Sequence, residues 1–106
     1  MTIDPKEAIL RILENARLRR VLLELYEGKK SFSKLKEEAE IGSNTTLSRD
    51  LEFLDRCGMI VNIFERTNNK SYSHYELNSY GKRVYEIVRD LSTKLDEESS
   101  ILLQES

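Results

Sequence analysis

The sequence has few of the residues on which metal sites, disulfides and many catalytic sites depend. It contains one cysteine, Cys57, and one histidine, His74, far apart and without companions at metal-ligand spacing. An internal disulfide is excluded, and a lone cysteine is typical of a small buried hydrophobic side chain. The four glycines are scattered, so there is no glycine-rich phosphate loop. We therefore expect no metal, no cofactor and no enzyme activity.

Long hydrophobic segments are also missing. No apolar run approaches the roughly 20 residues that a membrane-spanning helix needs. The N-terminus, MTIDPKEAIL, has an acid and a proline where a secretory signal would have basic residues and a longer apolar run. With 106 residues the chain is long enough for one domain with a real core. These features predict a single-domain cytoplasmic protein.

The sequence also lacks an overall excess of positive charge, since its formal net charge is −2. Residues 1–78 hold thirteen basic and thirteen acidic residues, whereas residues 79–106 hold four basic and six acidic. Phosphate contacts need local clusters rather than a positive total, although a charged run is often only a solvated face. One segment, GKKSFSKLK, has no acid and four lysines: Lys29, Lys30, Lys34 and Lys36.

Capping residues and hydrophobic spacing predict two helices at the start of the chain. Asp4 followed by Pro5 is typical of a helix start, and an apolar stripe at helical spacing follows. Asn15 can cap a second helix, or the first helix continues there with a bend. In both cases Gly28 supplies a C-terminal stop.

Two further helices are predicted before residue 58. Ser33 can cap a short helix over KLKEEAEI, which the segment GSN ends. The next helix is expected from about Asn44 to Arg56, with Ser43 as its N-cap and Gly58 at its end.

The periodicity then changes from helical to alternating. MIVNIFER and SYSHYEL are rich in β-branched and aromatic residues, and TNNK between them is typical of a turn. These segments predict a β-hairpin whose second strand contains His74, where a half-exposed histidine is the ordinary interpretation. From Ser79 the pattern is helical again. We therefore predict a mainly α fold with one β-hairpin and a long C-terminal helix.

The helix from Asn44 has two different faces on a helical wheel. Leu47, Leu51 and Leu54 form a buried stripe. Short polar residues let a helix end approach another surface closely, and arginine can bond a guanine edge or a phosphate. Such a face is typical of a helix that enters a DNA major groove, although small polar residues at a helix start can be capping residues alone. The opposite face carries Thr45, Ser48, Arg49, Glu52 and Arg56.

Taken in order, FSKLKEEAEI, NTTLSRDLEFLDRCGMI and YELNSYGK resemble parts of winged helix-turn-helix transcriptional regulators. The sequence is similar to the ArsR, HxlR and MarR-like groups and to small archaeal regulators over about residues 15–90. The resemblance implies a winged helix-turn-helix DNA-binding domain over residues 1–78, with double-stranded DNA as its partner. A C-terminal dimerisation helix and tail would then occupy residues 79–106.

The resemblance also implies roles for particular residues. The groove-facing part of the recognition helix would consist of Asn44, Thr45, Thr46, Ser48 and Arg49. The wing, on the adjacent minor groove or its backbone, would consist of Arg66, Asn68, Asn69 and Lys70. Flanking phosphate contacts would come from Lys29, Lys30, Lys34 and Lys36. The chain departs from many relatives in having an acid at Asp50 or Glu52 where they have a basic residue. Glu52 could accept a hydrogen bond from a cytosine amino group, or it could simply be solvated.

The last helix carries apolar residues at the a and d positions of a heptad repeat, interrupted by Glu98: Val84, Val88, Leu91, Leu95 and Leu102. One interpretation is that the first half of the helix packs on the domain and the rest frays. We favour a homodimer, because the apolar residues continue beyond the expected edge of the domain. The N-terminal stripe that would complete this interface consists of Ala8, Ile9, Ile12 and Leu13.

These features favour a dimeric, sequence-specific DNA-binding transcriptional regulator. Two alternatives remain. One is a winged helix used for protein–protein interaction, and the other is an architectural protein that binds DNA with weak sequence selectivity. A DNA-binding protein loses affinity steeply as salt rises, and a regulator prefers its own site strongly over bulk DNA.

Overall fold

The computed structural model of the chain describes residues 2–105, so Met1 and Ser106, the outer limits of the two predicted segments, lie outside the described residues. The helices are α1 Pro5–Leu13, α2 Ala16–Glu27, α3 Phe32–Glu38, α4 Asn44–Arg56 and α5 Ser79–Glu105. The strands are β1 Lys30–Ser31, β2 Ile60–Thr67 and β3 Lys70–Leu77. This confirms the predicted mainly α fold with a β-hairpin and adds one short strand, β1.

Side chains cap the helices close to the predicted positions. The Asn15 carboxamide accepts a hydrogen bond from the Leu18 N–H at 3.1 Å, so α2 is a separate helix and not a bent continuation of α1. The prediction for α3 was wrong by two residues at the start of the helix and by three at its end, since α3 runs from Phe32 to Glu38. Ser31 is its N-cap and accepts from the Lys34 N–H at 3.2 Å, whereas Ser33 already lies in the first turn. Ser31 can cap because its backbone is still extended at the end of β1.

The helices α3 and α4 end in the same way, with a hydrogen bond that reaches back five residues. The Ile41 N–H donates to the Lys36 carbonyl at 2.9 Å, and the Met59 N–H donates to the Leu54 carbonyl at 3.1 Å. Each turn has one left-handed residue, which is Glu40 (φ 56°) after α3 and Gly58 (φ 73°) after α4. Glycine adopts this conformation freely, but glutamate is strained there by about 1 kcal/mol.

The three strands form an antiparallel sheet in the order β1-β3-β2. The hairpin of β2 and β3 pairs from Ile60 with Leu77 to Thr67 with Lys70. Its two-residue turn, Asn68 and Asn69, has positive φ at both positions, which suits the twist of the flanking strands. Because β1 pairs with residues 74 and 75 of β3, the base of the hairpin is joined to the connection between α2 and α3.

The first half of α5 belongs to the hydrophobic core, and this corrects part of the predicted dimer interface. Val84 and Val88 are only 3% and 0% exposed, so a partner chain has no access to them. Ala8 and Ile12 of the N-terminal stripe are buried in the same core because α1 packs against α5. The apolar residues of α5 beyond the core remain exposed, at 42%, 56% and 63% for Leu91, Leu95 and Leu102.

The start of α5 lies very close to the end of α4. The Asn78 side chain accepts from the Gly81 N–H at 2.7 Å and donates to the Gly58 carbonyl at 2.8 Å. A Cβ atom on Gly81 would lie 2.2 Å from the Met59 carbonyl oxygen. Only glycine therefore allows this approach, which sets the position of α5 relative to the hairpin.

Candidate nucleic-acid interface

The helix α4 presents one polar face to solvent, as its sequence predicts. Leu47, Leu51 and Leu54 are buried and hold the helix on the core. Thr46 is half-buried, because it borders this stripe. The exposed side chains are Asn44, Thr45, Ser48, Arg49, Glu52, Asp55 and Arg56.

The N-terminus of α4 is open and free of negative charge. Ser43 caps it by accepting from the Thr46 N–H at 3.4 Å. The first turn contains no acidic residue. The N–H groups of Asn44 and Thr45 have no acceptor within the helix, as is normal for a first turn. Together with the helix dipole they make this end of α4 attractive to an anion such as a phosphate.

The two charged residues in the middle of α4 have opposite surroundings. Arg49 is exposed and has no ion-pair or hydrogen-bond partner among residues 2–105, so its guanidinium is available to a ligand. Asp50 is only 4% exposed, and its carboxylate accepts from Arg17 at 2.7 and 2.9 Å. The Asp50 charge is therefore compensated inside the fold and does not oppose Arg49 on the exposed face. Its position three residues after Leu47, within the apolar stripe, is the sequence signal for burial.

The predicted wing residues lie together at the tip of the hairpin. Arg66 and Lys70 flank the turn and are exposed, without a salt-bridge partner in the described part of the chain. Phe64 is 75% exposed and lies on the same strand face as Arg66, two residues away. The exposure of Phe64 was not predictable from the sequence, because in an alternating strand a phenylalanine is normally assigned to the buried face. The tip also exposes Asn68 and Asn69.

The lysine-rich segment divides into structural and exposed residues. The Lys30 side chain is 11% exposed, and its ammonium nitrogen lies 2.8 Å from a Glu24 oxygen and 2.7 Å from a Glu38 oxygen. Burial acts to lower the pKa of Lys30, but the bonds to these two carboxylates outweigh it and raise the pKa. The predicted phosphate contact at Lys30 is therefore wrong, because Glu24 and Glu38 already neutralise the Lys30 charge within the fold.

The remaining lysines of this segment reach solvent. Lys29 lies 3.2 Å from Glu65 on the hairpin, with both side chains about half exposed, which makes a weak surface pair. Lys34 is 63% exposed and is 3.8 Å from Glu38. Lys36 is half-buried and has no salt bridge among the residues that the structure describes. Lys29 precedes α3, whereas Lys34 and Lys36 lie within it, and α3 is the helix before α4.

Cys57 and His74 occupy structural positions. Cys57 is fully buried, and burial raises the pKa of its thiol, so the thiol is unreactive at neutral pH. The His74 ring is half-buried and stacks on Tyr72, with the ring centroids 6.4 Å apart. Within residues 2–105 no three metal-ligating side chains come together. No helix in the same range is long and apolar enough to cross a membrane.

Comparison with known proteins places this geometry among regulators. A family model described as HxlR-like helix-turn-helix matches residues 12–100. The reduced form of the transcriptional regulator YodB from B. subtilis has a similar structure, with a TM-score of 0.76 and 16% identity over 92% of this chain and 94% of that chain. A search of curated proteins found no match.

Two further solved structures share the fold. The putative transcriptional regulator ytfH from Salmonella typhimurium has a TM-score of 0.66 and 20% identity, over 92% of this chain and 88% of that chain. NadR in complex with 4-hydroxyphenylacetate has a TM-score of 0.68 and 22% identity, over 90% of this chain and 67% of that chain. At these identities the likeness concerns the fold, which is a winged helix-turn-helix.

Proposed function

Since the chain belongs to the HxlR-like helix-turn-helix family, we propose that this DNA-binding transcriptional regulator recognises a specific DNA sequence with α4 in the major groove. The resemblance to the HxlR group seen in the sequence is thereby confirmed. In this proposal α3 and α4 are the helix-turn-helix, and the hairpin around residues 66–71 is the wing on the flanking groove or backbone.

The observation that carries the proposal is the exposed face of α4. This face begins with short polar side chains at the helix N-terminus, where the first turn contains no acidic residue. It continues to Arg49, which has no ion-pair or hydrogen-bond partner in residues 2–105. Small residues allow the helix end to approach the duplex, and its N–H groups suit a phosphate. Arg49 then reaches a guanine edge or a phosphate.

The wing and the exposed lysines supply contacts beside the major groove. Arg66 and Lys70 hold phosphates from the hairpin tip, while Lys34 and Lys36 do so from α3. Phe64 lies on the same strand face as Arg66 and adds an apolar contact to a sugar of the DNA backbone. Lys30 has no part in this interface.

The distal half of α5 supports a homodimer. This helix has 27 residues and is therefore about 40 Å long, but its buried residues end at Val88. Leu91, Leu95 and Leu102 form an apolar stripe in water unless another surface covers it. A symmetric pair covers the stripe on both chains and presents two copies of α4 to one face of DNA. The preferred site is then an inverted repeat with half-sites about 34–36 Å apart.

Selection of bound DNA from a random pool, followed by titration of the selected site, tests the proposal. Arg49→Ala should weaken specific binding by roughly 1–3 kcal/mol without unfolding the protein. Arg83→Ala removes the same charge from an exposed position in the first half of α5 and should leave binding unchanged. Equal affinity of wild type and folded Arg49→Ala would show that α4 does not read DNA.

Salt and competitor dependence separate the remaining interpretations. Specific binding should weaken steeply with salt and exceed binding to bulk DNA by about a thousandfold or more. Strong binding without sequence preference would indicate an architectural protein. No binding even at low salt would indicate a protein-interaction module.

The dimer is tested separately by light scattering. Leu91→Glu with Leu95→Glu introduces charges at two exposed positions, so the chain should fold as a monomer and bind DNA much more weakly. A wild-type mass of one chain at micromolar concentration would refute the dimer and the inverted repeat together.

A further inference from the structure

The ion-pair cluster around Lys30 lies where the hairpin meets the helix-turn-helix. Lys30 is the first residue of β1, and it pairs with Tyr75 of β3, the second strand of the hairpin. Its ammonium nitrogen is 2.8 Å from a Glu24 oxygen on α2 and 2.7 Å from a Glu38 oxygen at the end of α3. This one side chain therefore joins α2 and α3 to the strand that borders the hairpin.

The cluster is enclosed, so its charges depend on one another. The Lys30 side chain is 11% exposed, and those of Glu24 and Glu38 are 19% and 35% exposed. Charges in such a site are tolerated when opposite charges and hydrogen bonds replace the lost water. Without the ammonium group, two carboxylates would face each other with little water between them. Their repulsion would act to separate α2 from α3.

The hairpin needs a firm attachment because most of it extends beyond the core. Its base is buried at Ile60 and Leu77, whereas residues 61–67 are exposed or half-buried. Arg66 and Lys70 at the tip lie about 20 Å further along the strands. A rotation of about 10° at the base would therefore move the tip by about 3.5 Å, which exceeds the length of a hydrogen bond.

The strand β1 limits this rotation, but its own pairing is short. It pairs at two positions, Lys30 with Tyr75 and Ser31 with His74. A pairing of this length holds weakly by itself, so the side chains of β1 supply the rest of its attachment. Ser31 caps α3, and Lys30 reaches the carboxylates of α2 and α3. The attachment of the hairpin to the helices thus depends on Lys30.

We propose that Lys30 is a positioning residue for DNA binding, because its ion pairs with Glu24 and Glu38 fix the direction of the hairpin relative to the helix-turn-helix. The tip of the hairpin then reaches DNA while α4 lies in the major groove. Lys30 does not touch DNA in this arrangement, so its effect passes through the position of the hairpin. This role rests on the proposed function.

Hydrogen exchange of the full chain tests this attachment without any DNA. Lys30→Met removes the charge and keeps an unbranched side chain. Amide hydrogens of β1 and β3 should then exchange at least about fivefold faster, while those of α4 keep their wild-type protection. Lys29→Met is the matched control, because it removes a half-exposed charge that pairs with Glu65 on the hairpin, and its effect should stay below about twofold. Wild-type protection of β3 in Lys30→Met would overturn the proposal.

A double-mutant cycle on the selected DNA site separates positioning from a general loss of stability. Arg49→Ala reports on α4 and should weaken binding at least about fivefold, and Lys70→Ala reports on the hairpin tip and should weaken it about threefold. In the Lys30→Met background, Arg49→Ala should keep its full effect, whereas Lys70→Ala should change the affinity less than about 1.5-fold. A lysine that only stabilised the fold would leave both effects unchanged, and this result would refute the positioning role. Repulsion of DNA by the freed carboxylates weakens all variants in one background alike, so it cancels in the cycle.

Two further variants complete the test. Lys30→Arg keeps the positive charge and should restore most of the Lys70→Ala effect. Lys30→Gln with Glu38→Gln keeps the net charge of the cluster and takes the place of Lys30→Met if that variant does not fold. It should bring the Lys70→Ala effect below about twofold, and the full wild-type effect would refute the positioning role. Absence of DNA binding by wild type would overturn the proposed function, whereas hydrogen exchange would still decide whether Lys30 holds the hairpin.

Discussion

Replacing Arg17 by methionine would break the ion pair that joins α2 to α4. Arg17 donates two hydrogen bonds to Asp50, at 2.7 and 2.9 Å, in a bidentate arrangement. The two side chains differ in exposure, at 38% for Arg17 and 6% for Asp50. The loss of Arg17 therefore leaves a carboxylate without its donors in a nearly dry site, whereas the loss of Asp50 leaves a guanidinium that water can reach.

The sizes of the effects follow from this asymmetry. Removing one partner of a fully buried pair costs about 3–5 kcal/mol, and partial exposure of Arg17 reduces this to roughly 2–3 kcal/mol for Arg17→Met. Asp50→Leu should cost about 1 kcal/mol, since Arg17 regains water. The double variant should lie within about 1 kcal/mol of wild type, because apolar side chains replace a charge pair with little net loss.

Urea denaturation of the four proteins at neutral pH and one fixed protein concentration measures these differences. Lys94→Met is the control, because it removes an exposed pair with Glu98 and should cost less than about 0.5 kcal/mol. Equal losses in Arg17→Met and in the double variant would refute the reasoning, since they would show that Arg17 stabilises the fold by packing and not by compensating the Asp50 charge.

Three further predictions concern stability. Gly81→Ala should lower the free energy of unfolding by at least about 3 kcal/mol in chemical denaturation, since the new Cβ would lie 2.2 Å from the Met59 carbonyl oxygen. A loss below about 1 kcal/mol would mean that the two segments separate easily. Glu40→Gly should raise the free energy of unfolding by about 1 kcal/mol by relieving its left-handed conformation, and an unchanged denaturation midpoint would contradict this. The hydrogen bond from Lys30 lowers the pKa of Glu38, so the stabilising contribution of this ion pair is present at neutral pH and is lost as the pH falls through the lowered pKa of Glu38. Lys30→Gln should make that acid loss less steep, whereas an equally steep loss would argue against the pair.

The sequence by itself determined the elements whose signals are local. The bounds of α4, Asn44 and Arg56, agree with the prediction because Ser43 caps the helix, a leucine stripe continues through it and Gly58 takes the left-handed conformation after it. The hairpin was equally predictable from two alternating segments and a polar turn. In each case neighbours within a few residues provide the hydrogen bonds or the periodicity.

The identity of the buried apolar residues was predictable for α4 but not for α5. Val84, Val88, Leu91 and Leu95 share one heptad pattern in the sequence, yet the first two are buried and the last two are exposed. The heptad pattern shows which side of α5 is apolar. It does not show how far along α5 the other helices pack against that side. Only the packing of α1 and α2 against α5 decides this.

The charged residues show the same division most clearly. Lys30 belongs to a basic run in the sequence but is enclosed by Glu24 and Glu38. Asp50 lies in α4 but pairs with Arg17, 33 residues away. Arg49, adjacent to Asp50, is exposed and unpaired in the described residues. A charge is free to bind DNA only if no opposite charge is brought beside it. That depends on which helices meet in the tertiary structure, because an ion pair requires proximity in space and not in sequence.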